Sequence, residues 1–231
     1  MSAPSAATPT RVARERSTLA ALLGIFPRLL SWWPVGVSGL AVAVIVGWQW
    51  SDLTQPTVRL SVVRVSVLFF VLGSVFLLDD ASRVTTDSSA VTRRRRIGLR
   101  LVVMLATVAV GTGIVFGVVL ARGPMSGLAP GFALEVVGFT CLAAGIALVL
   151  QQRFGVDEPA SFAGLGIVGL VLAVPMLAMR WPMIVGPGPL WHDAHVRWAG
   201  VLLVALAVVA YLTRDPAAGS LLRARTRPNR A

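Results

Sequence analysis

The sequence predicts an all-α integral membrane protein: six transmembrane helices, an N-terminal amphipathic interfacial helix, and both termini in the cytoplasm. Three observations predict it. Of 231 residues, 56% are hydrophobic and 13% charged, where a soluble domain carries about 25% charged residues. The apolar residues come in long blocks, several near the roughly 20 helical residues that cross a bilayer core of about 30 Å. The arginines lie mostly on alternate flanks of those blocks. A soluble fold of this length has no single core able to hide so much apolar surface. Barrel strands alternate apolar and polar over about ten residues, and nothing here alternates so. Inside lipid every backbone polar group must find an internal partner, so the blocks are helices.

Residues 1–16, MSAPSAATPTRVARER, are small, polar and basic, which predicts disorder. They lack the continuous apolar stretch and small-residue cleavage site of a secretory signal. In 17–33, Leu19, Leu22, Leu23, Phe26, Leu29, Leu30 and Trp33 recur at steps of three and four, one face of a helix. Ser17 suits the N-cap, Pro27 kinks or splits the segment, and Trp32 and Trp33 close it. That pattern fits a helix lying among lipid headgroups; the alternative is that it runs straight on into the first span. The membrane domain covers 35–212, with spans expected at 35–50, 58–78, 101–120, 132–150, 162–179 and 196–212. Residues 213–231 form a basic cytoplasmic tail.

Trp48, Trp50, Trp181, Trp191 and Trp198 fall at block edges on one side, as an aromatic belt would. The stretch 181–191, WPMIVGPGPLW, is apolar but too short and too rich in Pro and Gly to cross; it is either a re-entrant turn or an ordered loop. Orientation follows from arginine counts. On one side lie Arg11, Arg14, Arg16, Arg28, Arg83, Arg93, Arg94, Arg95, Arg96, Arg100, Arg153, Arg214, Arg223, Arg225, Arg227 and Arg230. The other has Arg122, Arg180 and Arg197, with Arg59 and Arg64 just inside the second span. An even number of spans with both ends inside satisfies this asymmetry.

The chemistry is bounded by what is missing. All 21 basic residues are arginine. Without lysine there is no P-loop G-x-x-x-x-G-K-[ST], no Schiff base and no Ser–Lys pair. One cysteine, Cys141, allows neither an internal disulfide nor a cysteine metal cluster. No G-x-S-x-G or H-E-x-x-H occurs, so the chain is not expected to be an enzyme and needs no cofactor. The net charge of +11 invites a nucleic-acid reading. The arginines, however, flank apolar blocks and do not form a folded basic face with stacking aromatics, which argues against it. The lysine-free, Ala/Val/Gly/Arg-rich composition suggests a GC-rich bacterial genome, and hence a bacterial plasma membrane.

Four features remain as candidates. His192 and His195 flank Asp193 in WHDAHVR; on a helix they would share a face, but two histidines do not make a metal site, and plain polar surface is the alternative. Arg64 lies six positions into its block, roughly 9 Å along a helix, where arginine is costly unless it faces protein or water. Glu135 lies in the matching layer and is a candidate ion-pair partner on a possible transport path, and Asp52 in the first outer loop is another. Snorkelling of Arg64 and Arg59 to outer headgroups is the alternative. Gly113 and Gly117 form a G-x-x-x-G, and Gly164, Gly166 and Gly169 thin the fifth span, both of which allow close helix packing. Finally, the loop 79–100, DDASRVTTDSSAVTRRRRIGLR, carries two capping clusters. Asp79 and Asp80 are placed to cap a following short helix, as are Thr85, Thr86, Asp87 and Ser88. Arg93, Arg94, Arg95 and Arg96 anchor the third span against anionic lipid; a purely topogenic block is the plainer account.

The interfacial helix, the even span number, this polar loop and the broken apolar segment before span six resemble the permease subunits of type-2 ABC exporters. The stretch FLLDDASRVTTDSSAVTRRRR is also similar to a loop of actinobacterial ABC-transporter permeases, which have Asp-Asp at the end of span two, then Thr and basic residues. The architectural likeness covers nearly the whole chain, the motif about 20 residues, and the short outer loop before span six departs from the family. The resemblance implies a permease driven by a separate ABC ATPase subunit docking on the loop through Asp79, Asp80, Arg83, Thr85 and Thr86. It also implies a second permease copy or paralogue. The rival expectation is a non-transporting membrane scaffold or accessory subunit. A small secondary transporter would show internal repeats or broken helices with buried charges, and no repeat is visible.

Overall fold

The computed structural model describes residues 30–79, 93–125, 128–154, 156, 158–177, 184–186 and 188–213. The chain falls into two units, Met1–Trp32 and Trp33–Ala231; the architecture below is that of the second. Among the described residues it consists of six α-helices joined by loops and two short 3₁₀ turns, with no strand. They are α1 (Trp33–Trp48), α2 (Pro56–Val75), α3 (Arg93–Leu120), α4 (Ala129–Arg153), α5 (Pro159–Leu177) and α6 (Trp191–Leu212). The 3₁₀ turns are Asp52–Thr54 and Phe76–Leu78, the second extending α2.

Four helices are long and apolar enough to cross a bilayer: Pro56–Leu78, Arg95–Leu120, Ala129–Arg153 and Trp191–Leu212. Two apolar stretches are shorter, Trp33–Trp48 and Pro159–Val171. Large apolar side chains stand exposed along the outer faces, including Val102, Leu105, Val110 and Ile114 on α3 and Val196, Leu203, Val204 and Leu206 on α6. Such faces are what lipid requires and what water would punish. The protein is a helical membrane protein.

Several boundaries differ from those expected. The third helix begins at Arg93 and not at 101, so Arg93–Arg96 form its first turn. Arginine is a good helix former, and nothing between it and the apolar block breaks the helix. The fourth begins at Ala129, with Pro130 in its first turn, where a missing N–H costs nothing. The sixth begins at Trp191 and not at 196, which makes WHDAHVR helix and not loop. Trp33 opens α1 and does not close an interfacial helix. The expected interfacial helix and the two tails fall wholly or mostly outside the described residues, as do 181–183 and 187 of the 181–191 segment.

α2 is the centre of the bundle. It packs on α1, α3, α4 and α5, while α6 lies chiefly along α4. Val67, Val71 and Val75 of α2 share one core with Met104 and Val108 of α3, Phe139 and the alanines Ala143, Ala144 and Ala147 of α4, Ile167 of α5 and Trp198 of α6. Close approach comes from glycines other than the expected ones. A β-carbon on Gly73 would strike Ser38 and the Pro34 carbonyl of α1, and one on Gly111 would strike the Phe70 ring. One on Gly138 would sit 2.9 Å from Trp198 Cε3. Gly113, Gly117 and Gly169 have nothing within 4 Å, so they do not seat helices of this chain; Gly164 and Gly166 have only ordinary contacts, at 3.6 Å and 3.8 Å. Trp198 is likewise no belt residue: it is buried, its ring 4.5 Å from that of Phe139. Buried hydroxyls of Ser66 and Thr140 donate to Val62 and Val136 carbonyls one turn back, so neither of the two is an orphan donor.

Candidate functional site

Side-chain contacts show which helix ends lie together. The N-termini of α2, α4 and α6 meet the C-terminus of α3 and the Gln49–Gln55 turn at one end, here the Trp50 end. The C-terminus of α2 meets the N-termini of α3 and α5 at the other, the Asp79 end.

One cluster is buried near the Trp50 end. Arg64 of α2 donates from Nε to Glu135 Oε2 at 2.9 Å and from Nη2 to Oε1 at 2.7 Å, a two-pronged ion pair. Glu135 is 2% exposed, Arg64 15%. This is not a snorkelling arginine. Phe132, one turn before Glu135, places its ring 5.8 Å from the guanidinium carbon, and Trp191 of α6 places its ring 5.7 Å away. The cation lies within reach of both ring faces, a favourable setting for a delocalised charge.

The third member is His195. Its Nδ1–H donates to the Trp191 carbonyl at 2.7 Å, one turn back on α6. That bond fixes the ring so that Nε2 lies 3.3 Å from Glu135 Oε1. The approach is close enough for charge attraction but off line for a hydrogen bond, and Nε2 has no other partner among the described residues. A neutral ring turns a lone pair on the carboxylate; a protonated ring turns a donor on it. Gly131 makes room, since a β-carbon there would lie 2.5 Å from His195 Nε2 and 2.8 Å from the Trp191 ring. His192, three residues earlier, is exposed and faces elsewhere. The described residues contain no group of three or more His, Cys, Asp or Glu able to hold a metal ion. The cluster can bind helices together; it offers no nucleophile.

At the Asp79 end a second node ties the root of the 79–100 loop. The Asp79 carboxylate accepts the Ala160 N–H at 3.0 Å. It therefore caps α5 across the bundle; the short helix it was expected to cap would lie outside the described residues. Ala160 is the second residue of α5, where a free N–H and the helix dipole both favour an anion. Arg100 of α3 is buried and donates to the Leu78 carbonyl at 3.2 Å and to the Asp79 carbonyl, covering the bare end of α2. Burial pushes the Asp79 carboxyl up to about 6 from the ordinary 3.8, and Glu158 adds to the rise, while the Ala160 bond and Arg100 oppose it.

Of the loop residues expected to dock a partner, only Asp79 is described; Asp80, Arg83, Thr85 and Thr86 lie outside. Of the anchoring arginines, Arg95 is exposed and Arg96 partly buried, with Arg93 and Arg94 placed only as backbone. Sequence reading missed His195 as a partner of Glu135, because it began the helix five residues late. It missed Arg100 as a cap, because every arginine there was already explained as a topogenic charge. No protein-family model, no curated protein and no solved structure matches this chain.

Proposed function

We propose that the protein is the membrane-spanning permease subunit of an ABC exporter, with six spans and both termini on the cytoplasmic face of a bacterial plasma membrane. A separate ATPase docks on the 79–100 loop, and a second permease copy or paralogue completes the transport path. One observation carries this reading: the loop's root is fastened to three helices at once, through Asp79 to α5 and through Arg100 to the end of α2. A force applied to that loop would move α2, α3 and α5 together, which a plain arginine anchor would not need. The resemblance of FLLDDASRVTTDSSAVTRRRR to actinobacterial permease loops points the same way.

Affinity purification of the full chain under gentle extraction, followed by ATPase assay of the recovered complex in lipid, tests it. The expected result is a co-purifying nucleotide-binding subunit whose recovery or coupling drops when Asp79 and Asp80 become Ala. Neutralising Arg93–Arg96 should disturb insertion first. A wild-type chain that brings down no such subunit removes the exporter reading.

The scaffold reading draws on a different observation. Both Glu135 oxygens are engaged by Arg64 under two aromatic rings, which suits a fastener better than a transit site. It is the reading that remains if no ATPase is found.

A further inference from the structure

We infer that the groove between α4 and α6 binds an anionic phospholipid, with an acyl chain in the groove and the headgroup on Arg197. The inference does not depend on the exporter reading. Both helices start at the Trp50 end and run side by side. They touch tightly at two levels. Toward the Trp50 end the Trp198 ring lies against Gly138, where a β-carbon would come within 2.9 Å. Toward the Asp79 end Gln152 Nε2 donates to the Leu212 carbonyl at 2.8 Å. Between these contacts the surface hollows into a groove of about 720 Å³, from Arg197 to Val208 on α6 and from Leu142 to Leu150 on α4.

Small residues make the hollow. Gly145 puts no side chain into it from α4, and a β-carbon on Gly200 of α6 would meet nothing within 4 Å. Gly200 and Val204 are exposed, so the groove opens to the surroundings of the bundle there.

The lining says what fills it. Arg197 is the only lining residue whose side chain carries a polar atom. Water finds no partners along such walls, and an empty hollow forfeits their dispersion contacts. Hydrocarbon is the filler that remains. From Arg197 to Val208 the helix rises about 16 Å, close to half of a bilayer core of roughly 30 Å. That is the depth of one leaflet, and so the reach of an acyl chain whose headgroup stays at the Trp50 end.

The charge says which lipid. Arg197 is partly exposed and stands at the Trp50 end of the groove. A long basic side chain at this depth reaches the headgroup layer by snorkelling, where a phosphate matches the guanidinium fork. An anionic headgroup is favoured over a zwitterionic one, whose own cation competes for the phosphate. A second copy of the chain is the poorer occupant. In sequence Glu135 is the one acid inside an apolar block, and Arg64 holds it, so a second copy brings no carboxylate to Arg197 from its apolar faces.

The test reads Tm of the delipidated full chain in neutral detergent, with phosphatidylglycerol, phosphatidylcholine or chainless glycerol phosphate added. Wild type should gain about 5–10 °C with phosphatidylglycerol roughly a hundredfold above Kd. It should gain clearly less with phosphatidylcholine at the same concentration, and nothing with glycerol phosphate. Gly200→Leu fills the groove from a position with open space around it and should lose both lipid gains. Val204→Phe fills it instead if Gly200→Leu does not fold. Arg197→Gln should keep the phosphatidylcholine gain and lose the extra gain with phosphatidylglycerol. Gly113→Leu, equally unobstructed but on α3, should respond as wild type does. No gain in wild type, an undiminished gain in the groove-filling variant, equal gains from the two lipids, or a gain from glycerol phosphate alone overturns the site. So does a wild type that sediments as a dimer beside a Gly200→Leu variant that sediments as a monomer, since a second copy then covers the groove.

Discussion

Arg64 and Glu135, 71 residues apart in sequence, meet through two parallel hydrogen bonds of 2.9 Å and 2.7 Å and hold α2 against α4. Glu135 is buried and Arg64 largely so, and each is the other's main counter-charge. Removing one leaves a buried charge unanswered, which typically costs about 3–5 kcal/mol. Arg64→Ala and Glu135→Ala are each expected to lose that much. Arg64→Ala with Glu135→Ala should lose far less than the two single losses added, because no charge is then stranded. A double-mutant cycle on unfolding in detergent checks this. Additive losses would mean the two residues act independently.

The glycines give a second test, aimed at α4 and α6. Gly138→Ala forces a methyl to within 2.9 Å of the buried Trp198 ring, and overpacking of this kind costs about 1–3 kcal/mol. Gly113→Ala meets nothing within 4 Å and replaces a poor helix former by the best one, a gain of up to about 1 kcal/mol. Thermal unfolding of the two variants should move in opposite directions. Equal destabilisation would instead place a partner against α3 at Gly113, as a second copy of the chain would.

The Asp79 carboxyl gives a pH signature. Its folded value of about 6 lies above the ordinary 3.8, so the fold disfavours the charged form. For an acid shifted this way, stability is lost as pH rises from about 4 through about 6, and is regained on acidification. Asp79→Asn removes the charge yet keeps an oxygen to accept the Ala160 N–H. The variant should melt above wild type at pH 7.5, and the gap should narrow steadily as pH falls towards 4. A variant that melts below wild type at both values would show that the carboxylate's attraction to Arg100 outweighs its burial.

How much of this was legible in the sequence depended on what each residue's neighbours were. Block length and arginine placement reveal the helical membrane class, because bilayer thickness and charge asymmetry act on sequence directly. The Arg64–Glu135 pairing was legible as a candidate, because charge that deep in an apolar block is rare and one acid lay in the same layer. His195 was not, because a helix start at Trp191 carries no strong cap signal and Pro–Gly runs just before it read as loop. The choice of Gly73, Gly111 and Gly138 over Gly113 and Gly117 as packing glycines depends on which helix faces which. Sequence spacing within one helix carries no such information. Arg59 and Arg122 were read separately, one as a deep arginine and one as an outer flank; only the fold brings the Arg59 guanidinium onto the Arg122 carbonyl.

The contacts at the two helix-bundle ends lead to a topology prediction. Asp79, Arg100 and Ala160 meet at one end, and Trp50, Arg122 and His195 lie together at the other. If the arginine-rich flanks are cytoplasmic, every residue joined to the first group must be inside and every residue joined to the second outside. The loop containing Ser88 leaves the Asp79 end, Ser126 follows Arg122 at the Trp50 end, and Ser220 lies in the arginine-rich tail after α6. Single cysteines at these three positions, in a variant lacking the buried Cys141, are to be labelled in intact cells with an impermeant maleimide. Ser126→Cys should react, while Ser88→Cys and Ser220→Cys should react only after the cells are opened. Labelling at Ser88 with protection at Ser126 would invert the protein, and with it the side on which an ATPase could dock. Labelling of Ser220 in intact cells alongside Ser126 would leave an even number of crossings between them, and α5, the shortest of the last three helices, would then not span.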